Sequence, residues 1–432
     1  MESETRLKPI YDLLPDGPLK FYRGELLLVE GDPHPGGEGT ITFDWHAGFR
    51  VDAAGGGAET FWSESSMRVQ LPDGRELDVW PIDSRSRHPE GTWELHGHAQ
   101  PQLHGDAEEP ISAVHVHLAN YPKSTFGSDG GPDHRTLAFA GDWELMIDAF
   151  EDYADREREV RLARTGAVTH VGRIRRSDGA QFTWEQASQP LGALRFLLTF
   201  VSGHRVPPLF AVGIAGDGRH AVEEWGSYRR DPFGGVLSWC SNLFQAQALE
   251  TLWEPVVRRW DDPEERQLLT VGLEFYLDAQ RGRNLETRLV SAQAGLELLA
   301  WHFLTRVEPI QDPARVDRKD APWRLRRLVE RLGLQPAVPE HLEGVRATWP
   351  DLDGPSVICN LRNQVTHPKN VNGLLDLDSQ AKHGVLRLAT WYLELALLRH
   401  LGYDGNYINQ TLPLPIWQGT GEPVPWAEAT VT

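Results

Sequence analysis

Only two cysteines, Cys240 and Cys359, occur in 432 residues, which excludes a disulfide framework and any four-cysteine zinc site. No apolar run approaches the roughly 18 residues that a bilayer span needs. The N-terminal MESETRLKPIYDLL has neither the basic start nor the apolar core of a secretory leader. These absences predict a soluble chain in a reducing, cytoplasmic compartment, with no membrane partner. The chain also contains no P-loop, no G-x-G-x-x-G and no G-x-S-x-G, so nucleotide hydrolases and serine hydrolases lose their usual support. Positive charge is scarce: 43 Lys and Arg face 62 Asp and Glu, a net of −19.

What is present is globular in character, with 40% apolar and 24% charged residues, and the length suggests two domains. The charge deficit is uneven. Met1–Asp262 holds 25 basic and 41 acidic residues, a net of −16, whereas Pro263–Thr432 holds 18 and 21, a net of −3. A polyanion is repelled by the first part and tolerated by the second, which argues against extended nucleic-acid coating and leaves room for a local site.

The first half has the marks of β-structure. Glu25–Glu30, Thr40–Trp45, Ser66–Leu71, Ala113–Leu118, Ala167–Arg173 and Leu194–Phe200 are short and rich in β-branched or aromatic residues. Glycine- and proline-bearing turns such as GDPHPGGEG, LPDGRE and RSDGAQ separate them. Val114, Val116 and Leu118 alternate with His115 and His117, as a strand requires. The expectation is a sandwich or twisted sheet assembly over residues 1–235. No fixed-period repeat supports a propeller or solenoid.

The period changes near residue 240. A helical connector is expected over 236–262, then a helical bundle over 263–432. Asp262 suits an N-cap, Pro263 a first helical position, and Glu265 the capping-box acid that reaches back to the cap amide. That helix stops at Gly282. A second, capped by Asn284, runs to about Val307; a third covers Pro322–Leu332, with a short one at Glu340–Thr348. Asp353 and Pro355 open PSVICNLRNQVTHP, and a last helix over Leu377–Leu401 is apolar around most of its circumference, as an interior helix should be.

Within PSVICNLRNQVTHP stand Arg362, Asn363 and His367. Five residues advance about 500° along a regular helix, which leaves Arg and His about 140° apart. Pro368 pushes the preceding residue out of helical backbone, so His367 is expected at a frayed end, free to swing toward Arg362. An Arg that can grip a phosphate beside a His that titrates near neutrality is equipment for phosphodiester chemistry. The spacing alone is common in a chain with 37 Arg and 17 His, so its weight comes from context. The plainer reading is an ion-paired Arg and a His that caps carbonyls.

R-N-x-x-x-H in the penultimate long segment of a helical bundle, the long closing helix and QAGLELLAW (Gln293–Trp301) together make the C-terminal 170 or so residues resemble the HEPN family. These are all-α domains of bacterial defence and toxin proteins, many of them ribonucleases. The resemblance implies a homodimer with two Arg–His motifs across one cleft, and a metal-independent endoribonuclease in which the RNA 2′-hydroxyl attacks the adjacent phosphate. His367 would be the general acid and base, Arg362 would hold the phosphate, and Asn363 would orient the scissile group or the partner motif. The domain order resembles that of ApeA-like abortive-infection proteins, which implies that the β-rich half senses a phage-derived trigger. Pro368 directly after the His departs from the family pattern, and HEPN scaffolds without activity exist.

The overall expectation is therefore α+β: a β-rich sensor domain followed by a HEPN-like bundle, with RNA as partner and no cofactor or metal. From Arg315 to Arg331, seven basic residues face three acids. Arg324, Arg327 and Arg331 share one helical face, which together with Lys369 could track a phosphate backbone, or could be consumed in ion pairs. His96, His98, His104, His115 and His117 invite a metal ion but lack the third and fourth ligands of a recognisable motif, so packed or surface histidines explain them better. Trp62, Trp80, Trp93 and Trp143 could stack sugars or bases, and more economically fill a sheet core. A ligand- or carbohydrate-binding protein that works through its β-rich half is the remaining alternative.

Overall fold

The computed structural model describes residues 6–11, 18–30, 32–33, 36–46, 48–56, 67–87, 92–99, 101–124, 135–163, 165–226, 228–231, 238–307, 313–367, 377–412 and 421–427. The chain forms two compact units, one up to Gly234 and one from Gly235; Ser124 and Phe196–His204 belong to the second. The first unit is β-rich and the second helical.

Seven strands open the first unit: β1 (Leu19–Glu30), β2 (Asp32–Pro33), β3 (Gly37–Asp44), β4 (Gly48–Gly56), β5 (Met67–Gln70), β6 (Glu76–Arg87) and β7 (Thr92–Ala99). They pair antiparallel in the order β2-β1-β3-β4-β7-β6-β5, and β1 also pairs with β5. That last pairing, Leu27–Val29 against Arg68–Gln70, closes six of the strands into a ring. The expected sandwich or open sheet is thus a small barrel. Closure removes the edges that an open sheet exposes. Alternate residues fill the inside, among them Leu26, Leu28, Ile41, Phe43, Phe49, Val51, Val69, Val79, Trp93 and Leu95, all buried.

A second antiparallel sheet follows, in the order β10-β11-β12-β9-β13-β14-β8. Its strands are β8 (Gln102–Gly105), β9 (Ile111–Ala119), β10 (Arg135–Ala140), β11 (Trp143–Ala149), β12 (Val168–Arg176), β13 (Pro208–Ala215) and β14 (His220–Trp225). Where β13 slips register against β9, between Leu209 and Val212, Phe210 takes φ 44°. This is the left-handed region that a bulky residue occupies only when its surroundings compensate. The compensation is burial: the ring lies 4.9 Å from Phe21 and 5.0 Å from Phe43, two residues of the barrel strands. Helix α1 (Tyr153–Ala163) joins β11 to β12.

One strand expectation fails. Leu194–Phe200 lies inside helix α2 (Trp184–Ser202). Its start carries a capping box, with the Thr183 amide donating to Gln186 Oε1 at 2.9 Å and the Gln186 amide facing Thr183 Oγ1 at 3.5 Å. The β-branched and aromatic run LRFLLTF reads as a buried strand only if that upstream cap is overlooked.

The helical unit contains α3 (Gln245–Trp260), α4 (Pro263–Arg281), α5 (Leu285–His302), α6 (Pro313–Asp317), α7 (Ala321–Arg331), α8 (Glu343–Thr348), α9 (Gly354–Thr366) and α10 (Ser379–Leu401). A π-helical turn, Phe303–Val307, extends α5. Asp262 caps α4 as expected, its carboxylate accepting from the amides of Glu264 and Glu265. Glu265 does not complete the box: the Asp262 amide donates to Arg259 O at 3.2 Å instead. Asn284 sits at the α5 cap position without a side-chain cap bond. Helix α10 is buried without a break from Leu388 to Leu398, as its all-round apolar surface requires. Gly295 lets α5 approach its neighbours, since a Cβ there would stand 2.9 Å from Phe275 Cβ and 3.1 Å from Leu393. Among the described residues no helix is long and apolar enough to cross a membrane.

Candidate functional site

The Arg–His motif lies on α9. Asp353 caps the helix, its Oδ1 accepting from the Ser356 amide at 2.9 Å. Its Oδ2 takes a 2.5 Å bond from Arg326 Nε on α7. Burial alone would raise the Asp353 carboxyl, but the bonds from Arg326 and Ser356 hold it below the usual carboxylate range. The start of the helix is therefore fixed in capping and in charge, which sets the rotation of everything downstream.

Arg362 stands two turns later, half-buried. Its Nη1 donates to Asn363 Oδ1 at 3.1 Å, and its Nε is buried with no hydrogen-bond partner among the described residues. Cys359, one turn before it, is buried; burial first and Glu297 second push its thiol up to about 12, while Arg362 pulls the other way. On α5, Gln293 donates to Glu297, and Arg324 of α7 pairs with Glu297 at 2.6 Å. The guanidinium of Arg362 thus lies by a wall built from α5 and α7, and retains a donor that no described protein group uses.

His367 ends α9. Its backbone, φ −133° and ψ 62°, has left the helical region, as expected for the residue before a proline. Its amide still donates to Asn363 O at 2.9 Å, and its side chain is exposed. Arg362 and Asn363 are brought into contact. No hydrogen bond joins the His367 imidazole to either of them among the described residues.

The basic face of α7 is largely engaged. Arg324 is tied to Glu297, and Arg327 pairs with Glu330 at 2.6 Å and stacks over Trp323. Arg331 is exposed. Glu297 and Glu330, the acids that answer Arg324 and Arg327, both belong to the helical half. Leu325, Leu328, Val329 and Leu332 turn inward and are buried. Lys369 lies outside the described residues.

The five histidines singled out in the first unit, His96, His98, His104, His115 and His117, are packed or paired. His117 Nε2 accepts from the amides of Ile10 and Tyr11 at 3.1 and 2.9 Å. His96 Nδ1 meets Asp52 at 2.7 Å, and burial pushes His104 and His115 down to about 4. Trp93 is buried, as a core role requires, and Trp80 is exposed; Trp62 lies outside the described residues. The His and carboxylate cluster of the described residues lies in the bundle, where Glu265, His302 and His400 place ligand atoms within 4.8 Å of one another. Nothing in the linear order points to it, because its members come from three separate helices.

Comparison with known proteins now bears on this arrangement. Residues 106–236 match the model described as the YopA central domain, and residues 262–421 that of the YopA C-terminal domain. Both segments match YopA domains. A Bacillus subtilis (strain 168) protein, the SPbeta prophage-derived uncharacterized protein YopA, is 31% identical over 305 residues, covering 68% of this chain. The chain covers 66% of that protein's length. The YopA C-terminal match contains α4 to α10, hence Arg362, Asn363 and His367. The YopA central match contains the second sheet from β9 to β14, whereas the barrel strands precede both matched segments. No solved structure matches the chain.

Proposed function

We propose that the protein is a metal-independent endoribonuclease of HEPN type, active in the cytoplasm in defence against phage. The observation that carries this reading is Arg362 on α9: its buried Nε has no partner among the described residues, next to Asn363 and five residues before an exposed His at a helix end that has left helical backbone. An unused guanidinium donor is suited to a phosphate oxygen, and an exposed imidazole to proton transfer. In this reading two copies of the chain face each other across the α9 ends. One His367 imidazole takes the proton of the RNA 2′-hydroxyl, whose oxygen bonds to phosphorus. The 5′-oxygen leaves with a proton from the second copy's imidazole, and the product ends in a 2′,3′-cyclic phosphate. Arg362 neutralises the charge that builds on the phosphoryl oxygens, and Asn363 holds the guanidinium in place. Arg324, Arg327, Arg331 and Lys369 supply the path for the flanking phosphates, and the first unit answers a phage-derived trigger.

The test is expression of the wild-type chain, His367→Ala and Arg362→Ala with and without phage challenge, with sequencing of RNA ends. The expected result is new cyclic-phosphate ends in wild type, reduced by about 10²–10⁴ in both variants. Equal RNA in all three, at equal levels of folded protein, sinks the nuclease reading. Two observations favour a binding-only bundle instead: among the described residues no hydrogen bond joins the imidazole to Arg362 or Asn363, and Arg324 is already neutralised by Glu297. A ligand-binding first unit is favoured by a separate observation, an open cleft of about 670 Å³ lined by Arg23, Glu38, Asp52, Glu94 and His96. Either would leave RNA intact, and the second would appear as ligand-dependent stabilisation that His367→Ala does not change.

A further inference from the structure

Glu265 sits in the first turn of α4, His302 at the last residue of α5 and His400 in the last turn of α10. The three long helices bring their ends together here. His400 Nε2 lies 2.7 Å from Glu265 Oε2, and His302 Nε2 lies 3.3 Å from Glu265 Oε1. The rings of the two histidines are 5.1 Å apart and nearly perpendicular, at 85°. Both imidazoles are buried, and the Glu265 side chain is 23% exposed. Although within ion-pair range of Glu265, His302 Nε2 makes no hydrogen bond among the described residues. A buried ring nitrogen aimed at a carboxylate without bonding it is a group whose partner is missing.

We propose that Glu265, His302 and His400 are the three protein ligands of a divalent transition-metal ion of the zinc class. Two imidazoles and one carboxylate are a donor set that zinc accepts, with a fourth position for water or another ligand. Calcium and magnesium, which take oxygen ligands, do not suit it. Metal–nitrogen bonds of about 2.0–2.1 Å in a tetrahedron place ligand atoms about 3.3 Å apart. His302 Nε2 already stands at that distance from Glu265 Oε1; His400 Nε2, now on Oε2, would turn from that oxygen to the ion. The helix departs from α geometry directly after His302, in the π-turn Phe303–Val307, a distortion often found at functional sites. Arg259 Nε, 3.8 Å from Glu265 Oε2, is the opposing charge, and it can hold the carboxylate oxygen that the metal does not use. The site is separate from the Arg362 motif, so the ion's role is to tie α4, α5 and α10 rather than to cleave RNA.

The test uses the full chain after chelation, titrated with zinc and with cobalt. The expected result is one equivalent bound per chain, a rise in melting temperature on zinc addition, and the visible absorption of tetrahedral cobalt. His302→Asn and His400→Gln, which keep much of the side-chain volume, should weaken binding about 10–100-fold or more and lose the cobalt signal. His341→Ala, a histidine elsewhere in the bundle, should bind as wild type. Binding well below one equivalent in wild type overturns the proposal. So does binding that both ligand variants retain, since the ion would then lie elsewhere. Circular dichroism of the metal-free variants shows whether they fold, and Glu265→Gln supplies a third probe if either histidine variant does not. A nuclease that fails while zinc binds, or the reverse, separates this inference from the previous one.

Discussion

Glu394 is the most unusual single residue of the bundle. It is fully buried on α10, and its Oε1 gathers donors from the Trp239 amide at 3.2 Å, Tyr276 Oη at 2.9 Å, Gln280 Nε2 at 3.0 Å and Gln410 Nε2 at 2.5 Å. Oε2 has no partner. Burial pushes the carboxyl up to about 8, against the four hydrogen bonds that favour its ionised form. The folded protein therefore holds a proton that the unfolded chain releases from about pH 4.5 upward. With more protons bound in the folded state, stability falls as pH rises across that window, by roughly 3–5 kcal/mol in all, and levels off above pH 8. Glu394→Gln carries the neutral form permanently. Urea unfolding at pH 5 and pH 8 should show a smaller loss in that variant than in wild type; equal losses would mean that Glu394 titrates normally.

At the scale of elements, the helix that carries Arg362 and His367 depends on its cap. Asp353→Ala removes the bond to the Ser356 amide and the partner of Arg326, and should cost about 1–2 kcal/mol of stability. Arg326→Ala should cost less, because Arg326 is partly exposed and water screens the pair; a urea series on both variants checks the order. The cap contribution is present above the ordinary Asp range and is lost as pH falls through the depressed Asp353 value. What was legible in the sequence follows the same logic. Asp262 and Asp353 cap their helices through local bonds that short motifs encode, so the starts of α4 and α9 could be read directly. Helix α2 could not, since LRFLLTF suits either a buried strand or a buried helix and only Thr183-x-x-Gln186 decides it. The Arg362 motif was visible because its residues lie within one helix. The Glu265, His302 and His400 cluster was not, because only tertiary packing assembles it. Glu265 was read as a capping-box acid from its local position, and the fold directs it to two histidines instead.

At the scale of the whole molecule, the first unit combines a closed ring with an open sheet, and Phe210 is where the two meet. Phe210→Ala should destabilise this unit by about 3–5 kcal/mol through loss of its buried ring, less the relief from giving up a bulky side chain in a strained backbone. Denaturant unfolding followed by the fluorescence of Trp225, whose ring lies 5.2 Å from Phe21 in the same aromatic cluster, would report the change. A loss below 1 kcal/mol would mean that the neighbouring rings close over the gap.

The place of Phe210 in the chain has a consequence for synthesis. All six ring strands lie between Leu19 and Ala99, whereas the residue that inserts among their aromatics comes 210 − 99 = 111 positions after the last of them. At 5–20 residues per second, a ribosome needs about 6–20 s to cover that distance. For that interval the nascent barrel is complete in its backbone pairing while one apolar mouth still awaits its plug. A chaperone that recognises exposed aromatic surface has its window there, before Phe210 has been synthesised.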